Sequence, residues 1–481
     1  MSENQKPNRN WTKISCIGCF LLPIVFLLVT IGWFKYQIAK KGDQLPVELA
    51  KLKKMGVPTE PTDLAPNPAI PDTQNAAALY RELLADVEAM KKTREGKDEV
   101  KNAMNLGSYQ ATPETEAASL QALNKISPLL DKANKLADYP SLDFKRDYAK
   151  GPSLMFNEYS GIKDIVKLQG ARVRLYVQKG DYQNSLKTLR AMFAAARHSY
   201  QEPTIISSLV GSALDAIACA ALEKHLEAFK ANPAALGETR KMLESLPDTV
   251  DLKRPLQGEL VMGRISVQSI KSWKDVQMMT SMDENGMPAD NSWNPLDKLS
   301  FEDPAVRRMF EAKYVQQWRI AFEKMPADNS QWKEIRKVMT DLEESIAKDN
   351  STENKLNKLL FPVFAQYATT GGLYQARHRL YLLATRLLQE RPKGLPKDLS
   401  KFGNLGIDPM DGKPMRYDLK AGGFKVWSIG RNEKDDGGVK YYPGSGLASD
   451  KTDDVLYFFY PEKAPPPGAR KAAPPAAFGG P

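Results

Sequence analysis

The chain has 481 residues, 42% hydrophobic and 26% charged, which is enough apolar content for an ordinary packed core and excludes a wholly disordered chain. Its net charge of +10, from 68 basic and 58 acidic residues, is not gathered into a basic stripe with interleaved aromatics, so no nucleic-acid partner is expected. Of the three cysteines, Cys16 and Cys19 share one apolar run and Cys219 stands alone, so there is no disulfide framework.

Residues 14–34 carry no charge and are bracketed by Lys13 and Lys35. As a helix rising about 1.5 Å per residue they reach about 30 Å, the thickness of a bilayer core. They read as an uncleaved signal anchor after a short basic tail, 1–13, with Trp11, Trp33 and Tyr36 as interfacial anchors. A cleavable signal peptide is the alternative, but no small-x-small site follows the run. Cys16 and Cys19 are small residues of this helix. Lys35, Lys40 and Lys41 after the span favour a cytoplasmic C-terminal part by the positive-inside rule. Long domains translocate largely regardless of charge, however, and the common form of such an anchor places the large part outside the cytoplasm, which is the expectation here.

Residues 35–71 turn to Lys and Pro and read as a juxtamembrane stalk with one helical turn around 47–55. Residues 72–350 read as an all-α domain. A first helix runs from Asp72 and Thr73 to about Lys91, and Thr112-Pro113-Glu114 opens a second that reaches about Leu136. Residues 159–229 carry the densest helical periodicity: one face through Ile162, Ile165, Val166 and Val173, a break at Gly180-Asp181, a second face through Leu186, Leu189 and Phe193, and a mostly apolar helix from Thr204. Further helices are expected at 254–273, from Asp303-Pro304, and at 332–346. A long one at 354–389 has candidate interruptions at Pro362 and Gly371-Gly372. Tyr176, Gly180, Asp181, Tyr182 and Leu189 resemble part of a tetratricopeptide repeat, but Ser185 stands where that motif prefers alanine. No second copy follows at the period of about 34 residues. The expectation is a helical-hairpin domain that is only weakly repeat-like.

After Pro392 the period changes from 3.6 to 2. Met415, Tyr417 and Leu419, then Phe424, Val426 and Ser428, then 455–460, make a small antiparallel sheet. Residues 351–460 are thus a long helix plus a β module, and 461–481 are a disordered Pro/Ala tail. The fold class is mainly α: an N-terminal transmembrane helix, an all-α hairpin domain and a small C-terminal α+β sheet.

Leu395-Pro396, Asp408-Pro409, Gly412, Pro414, Tyr417, Gly423-Phe424, Trp427-Ser428-Ile429-Gly430 and then Asp435-Asp436-Gly437-Gly438 and Asp453-Asp454-Val455 follow a long helix in that order. The order resembles the C-terminal domain of the major pseudopilin of type II secretion systems. The whole chain is similar to a group of bacterial membrane-anchored proteins built as anchor, stalk, helical domain and pseudopilin-like end, which brings no activity with it. Unlike a pseudopilin, 14–34 contains no glutamate, so assembly as a pilin is not expected. The resemblance implies a structural calcium ion held by Asp435, Asp436, Asp453 and Asp454 with the Ile429 carbonyl. Asn432 stands where pseudopilins place a ligand aspartate. Read from the residues alone, the same stretch is equally an acidic turn.

His198, His225 and His378 have no metal-ligand spacing, and no Walker A loop or nucleophile elbow is present. His198 and His378, beside arginines, read as surface residues, and His225 as a cationic helix cap. With no catalytic constellation, the expectation is a structural or interaction protein of the bacterial envelope, partnered by the bilayer and other envelope proteins. The alternative is a metal-dependent envelope hydrolase using the acidic loop.

Overall fold

The computed structural model describes residues 10–106, 112–272, 274–275, 302–361, 364–420, 423–438 and 455–459, with side chains from Ile24 onward except at 359–360, 420 and 455–459. The chain is mainly helical. In order the helices are α1 (Asn10–Gly42), α2 (Leu45–Lys54), α3 (Ala77–Lys91), α4 (Arg94–Met104), α5 (Pro113–Lys125), α6 (Ser127–Ala133), α7 (Glu158–Gln178), α8 (Tyr182–Gln201), α9 (Ile205–Phe229), α10 (Pro233–Glu244), α11 (Lys253–Ser269), α12 (Pro304–Lys324), α13 (Trp332–Lys348), α14 (Lys355–Leu360) and α15 (Ala365–Glu390). The strands β1 (Arg416–Lys420), β2 (Gly423–Ser428) and β3 (Val455–Phe459) form one antiparallel sheet in that order. Side-chain caps close several helices: Thr112, where the sequence opens a helix, accepts from the Thr115 amide, and the structure adds Asp181, which accepts from Asn184, and Thr204, which accepts from Ser207.

The chain divides into two compact units. The first lies within Met1–Thr59, Leu260–Lys324 and Leu342–Pro362. Its α1 extends the apolar run in both directions. Ile24, Val25, Phe26, Leu27, Leu28, Val29, Trp33 and Phe34 are all exposed, on every side of the helix. The residues after the run are not a free stalk. Glu48 of α2 is 4% exposed and pairs with Arg319 of α12 and with Lys51, while Leu52 and Val57 are buried. Arg264 is buried against Glu311 and donates to the Thr59 carbonyl. The prolines of this stretch limit regular structure but do not prevent burial of the apolar residues between them.

The second unit lies within Glu60–Glu259, Met325–Asp341 and Val363–Pro481. Here too the expected stalk is folded: Leu64 is buried, and its carbonyl accepts from Arg254 at 3.2 Å. Helices α7, α8 and α9 pack on one another, joined at Gly180, whose φ of +69° suits glycine, and at Glu202–Thr204. Among the described residues α9 is the one helix long and apolar enough to cross a membrane by length and composition, although the sequence reading credits only 14–34 with that property. In the fold α9 is a core helix that buries Leu214, Ala218, Cys219, Leu222 and Leu226. Its one charge before Glu223 is Asp215.

The long C-terminal helix breaks before α15, near Pro362, but runs unbroken through Gly371 and Gly372. Those glycines admit Leu252 and Trp332, and a Cβ on Gly372 would lie 2.4 Å from the Trp332 ring. The sheet is in register Tyr417↔Val426 and Val426↔Tyr457. Met415, Phe424 and Val426 join the same apolar core as Leu380, Leu383 and Leu387 of α15 and the faces of α3, α7, α8 and α9. The sheet is therefore not a module with its own core. Strands of five or six residues bury too little to stand alone.

Two histidine expectations are corrected. His198 is fully buried; its Nε2 donates to the Tyr139 carbonyl at 2.8 Å, and its Nδ1 accepts from the Tyr80 hydroxyl at 3.1 Å. His225 bridges Ser185 at 2.8 Å and Thr239 at 2.9 Å. The Thr239 hydroxyl is itself donated to the Ala235 carbonyl, so His225 Nε2 donates to it and Nδ1 accepts from Ser185. Burial lowers both pKa values to about 4, so both rings are neutral and neither is a cationic cap. The serine that departs from the repeat motif is thus the partner of a core histidine.

Candidate functional site

A cavity of about 470 Å³ opens in the second unit. One face of α8 supplies Phe193, Arg197, Tyr200 and Gln201, at the spacing that brings residues to one side of a helix. Asp215 comes from α9, Tyr374 and His378 from α15, and Arg254 from the first turn of α11. Pro66, Ile70, Leu142, Leu246 and Val250 complete an apolar wall.

Asp215 and His378 meet at the inner side of this cavity. Asp215 is 1% exposed and its Oδ1 accepts from His378 Nε2 at 2.8 Å. A carboxylate oxygen accepts, so Nε2 carries the ring proton and Nδ1 the lone pair. The imidazole is clamped: Tyr374 stacks on it at 4.0 Å between centroids, and Phe193 meets it edge-on at 5.7 Å. His378 is therefore a buried residue, not the surface residue expected. Arg377 Nη1 stands 3.6 Å from Asp215 Oδ2, and Cys219 Sγ, one turn along α9, lies 4.0 Å from the same oxygen. Burial, then the charge of Asp215, pushes the Cys219 thiol well above its usual range, so it is no ready nucleophile. Burial and then Asp215 likewise raise the Tyr200 and Tyr374 hydroxyls, which stay protonated.

The two arginines of the cavity have no carboxylate partner among the described residues. Arg197 donates to the Tyr139 carbonyl at 2.9 Å and Arg254 to that of Leu64. The Nε of each is buried without an acceptor. Burial lowers the Arg197 pKa, against the smaller opposing influence of Tyr80 and Tyr374. Asp251 on the rim accepts from the backbone amide of Arg254, not from its guanidinium.

The acidic loop is arranged differently. Arg416 is its hub, reaching Asp411 at 2.7 Å, Asp408 at 3.1 Å and Asp435 at 3.4 Å. Asp435 also accepts from Trp427 Nε1 at 2.9 Å and from the Gly437 amide at 3.0 Å. Asp436 accepts from Asn432 at 2.9 Å, and the Ile429 amide donates to Asp408 at 3.0 Å. Asp453 and Asp454 lie outside the described residues. The fully buried Asp408, which also accepts from Ser428 and from the Met410 amide, ties the loop to β2. Among the described residues the three ligating side chains that do converge are Asp215, Cys219 and His378.

Sequence reasoning missed this pocket because its residues come from segments up to about 300 positions apart, all within one core. One signal was present: Asp215 is a lone charge in an apolar helix, and a buried charge requires a partner. No family model, curated protein or solved structure matches the chain.

Proposed function

We propose that this chain is a single-pass protein of the bacterial cell envelope that binds a small organic anion in the cavity lined by α8, α9 and α15. The observation that carries the reading is the pair of guanidiniums, Arg197 and Arg254, on one cavity with no carboxylate partner among the described residues. Both guanidiniums are half-buried, a setting in which a missing counter-ion costs free energy, and an entering carboxylate or phosphate supplies both charge and acceptors for the idle, buried Nε groups. The aromatic and aliphatic walls suit an apolar body, and the volume falls in the range of about 300–1,000 Å³ of small-molecule sites. The anchor is supported by α1, since a helix apolar on every side and exposed requires an apolar medium around it.

The ligand test uses the full chain in detergent, titrated with phenylphosphate and benzoate and, as the uncharged counterpart, benzyl alcohol. The anions raise the melting temperature and the alcohol does not; Arg254→Met or Arg197→Met removes the gain. Equal stabilisation by benzyl alcohol, or an undiminished gain in both variants, sinks the reading. For topology, alkaline phosphatase fused after Pro481 is active if the large part lies outside the cytoplasm. An inactive fusion, with an active cytoplasmic reporter at the same place, reverses it.

A further inference from the structure

We propose that Asp215, Cys219 and His378 bind one divalent cation of borderline softness, of the zinc or cobalt(II) kind, in the wall of the same cavity. This stands whether or not the cavity takes an organic anion.

The donor set comes first. One carboxylate oxygen, one thiol sulfur and one imidazole nitrogen lie within 4.8 Å of one another, and the three residues are 1%, 3% and 8% exposed. Asp215 and Cys219 are one turn apart on α9, which puts both on one helix face, and His378 reaches them from α15. Mixed oxygen, nitrogen and sulfur ligation suits zinc and its neighbours, whereas calcium and magnesium take oxygen shells.

The distances come next. Metal–ligand bonds of about 2.0–2.3 Å in a tetrahedron put neighbouring ligand atoms about 3.3–3.6 Å apart. The observed 2.8 Å between His378 Nε2 and Asp215 Oδ1 opens by about half an ångström, and the Cys219 sulfur, within 4.8 Å of the ligating oxygen, closes by up to about an ångström. The cation takes the place of the proton that His378 now gives to Asp215. That ring proton moves to Nδ1, the thiol proton leaves to solvent, and the sulfur binds as thiolate.

A second observation points the same way. Asp215 is almost wholly buried, yet among the described residues only His378 gives it a hydrogen bond of ordinary length. Its other oxygen has the thiol at 4.0 Å and Arg377 at 3.6 Å, and the Arg377 Nη1 is itself buried without an acceptor. A buried carboxylate ordinarily collects more partners than this. Asp215 and His378 also line the cavity while Cys219 does not. The three protein ligands therefore leave a fourth position beside the cavity, open to water or to a ligand.

The test uses the full chain in detergent, with Cys16→Ser and Cys19→Ser, so that Cys219 is the one cysteine left. Cobalt(II) alone is the probe. One ion binds per chain and brings a thiolate-to-cobalt charge-transfer band in the near ultraviolet, which zinc then bleaches. His378→Gln weakens binding by about tenfold or more, a loss that even the outer partners of metal ligands produce. Arg377→Gln removes a like charge beside the ion and tightens binding, which a merely structural ion pair would not do. Absence of the band at saturating cobalt, in protein whose helical circular dichroism is intact, overturns the proposal. So does a cobalt affinity that His378→Gln leaves unchanged.

Discussion

Glu259 is a residue whose ionisation couples to folding. Burial raises its pKa to about 7, partly opposed by the Ile205 amide that donates to it. Unfolded, it titrates near its ordinary value of 4.5. Between these values the folded chain holds a proton that the unfolded chain has lost, so this group's stabilisation is full below about 4.5 and is lost as pH rises through 7. Glu259→Gln keeps the acceptor and removes the titration. Urea unfolding at pH 8 should show the variant more stable by a few kcal/mol, with the difference vanishing near pH 4; a constant difference across that range would refute the assignment. His198 and His225 work in the opposite sense, because their folded pKa values of about 4 make them lose stability as pH falls below 6.5. The Glu259 variant isolates one sign from the other. Arg146 is a different case. It is sandwiched by Phe144, Phe156 and Tyr159 and pairs with Glu158 and with Glu202, whose side chain is 2% exposed. Arg146→Met leaves Glu202 buried without its cation and should cost about 3–5 kcal/mol in chemical unfolding. Adding Glu202→Gln should restore part of it, and strictly additive losses would show that the pair is not coupled.

At the scale of elements, α11 approaches the 202–204 turn so closely that a Cβ on Gly258 would lie 1.6 Å from the Pro203 carbonyl oxygen. Backbone cannot yield as a side chain end does. Gly258→Ala should therefore destabilise by about 1–3 kcal/mol despite alanine's better helix propensity, read as a lower melting temperature. An unchanged or raised melting temperature would mean that the two segments are not in contact. The sheet gives the second element-scale prediction. Met415, Phe424 and Val426 complete a core whose other side is α15 and the helices beneath it. A fragment of residues 390–462 should be unfolded, with no cooperative melting and collapsed amide dispersion in its NMR spectrum. A folded fragment would restore the independent module that the sequence suggested.

For the whole molecule, the exposed apolar girdle of α1 is the feature on which the proposed anchor rests. Lysine at the centre of a span costs about 2.5–3.5 kcal/mol per residue. Leu27→Lys with Leu28→Lys should release the protein from carbonate-washed membranes into the soluble fraction, and retention of the double variant would mean that α1 is not what holds it there.

The sequence by itself located many of the helices and the three strands, though not α4 or α10, and it read α5 and α6 as one helix. Their signals are local: the capping residue Thr112, the break at Gly180-Asp181, the change of period after Pro392, and the uncharged run 14–34. It also misled where a local signal had a non-local answer. Gly371-Gly372 looks like a break until Leu252 and Trp332 occupy the space the glycines leave. His378 looks like a surface residue between two arginines until a helix 163 positions earlier in the chain presents Asp215 to it. Only the tertiary structure could assemble the cavity, the Asp215–Cys219–His378 cluster and the pair Arg197 and Arg254, whose Nε atoms lack an acceptor. Each is a meeting of side chains from separate helices, and the periodicity of one helix says which face is buried but not which residues of another helix it will face.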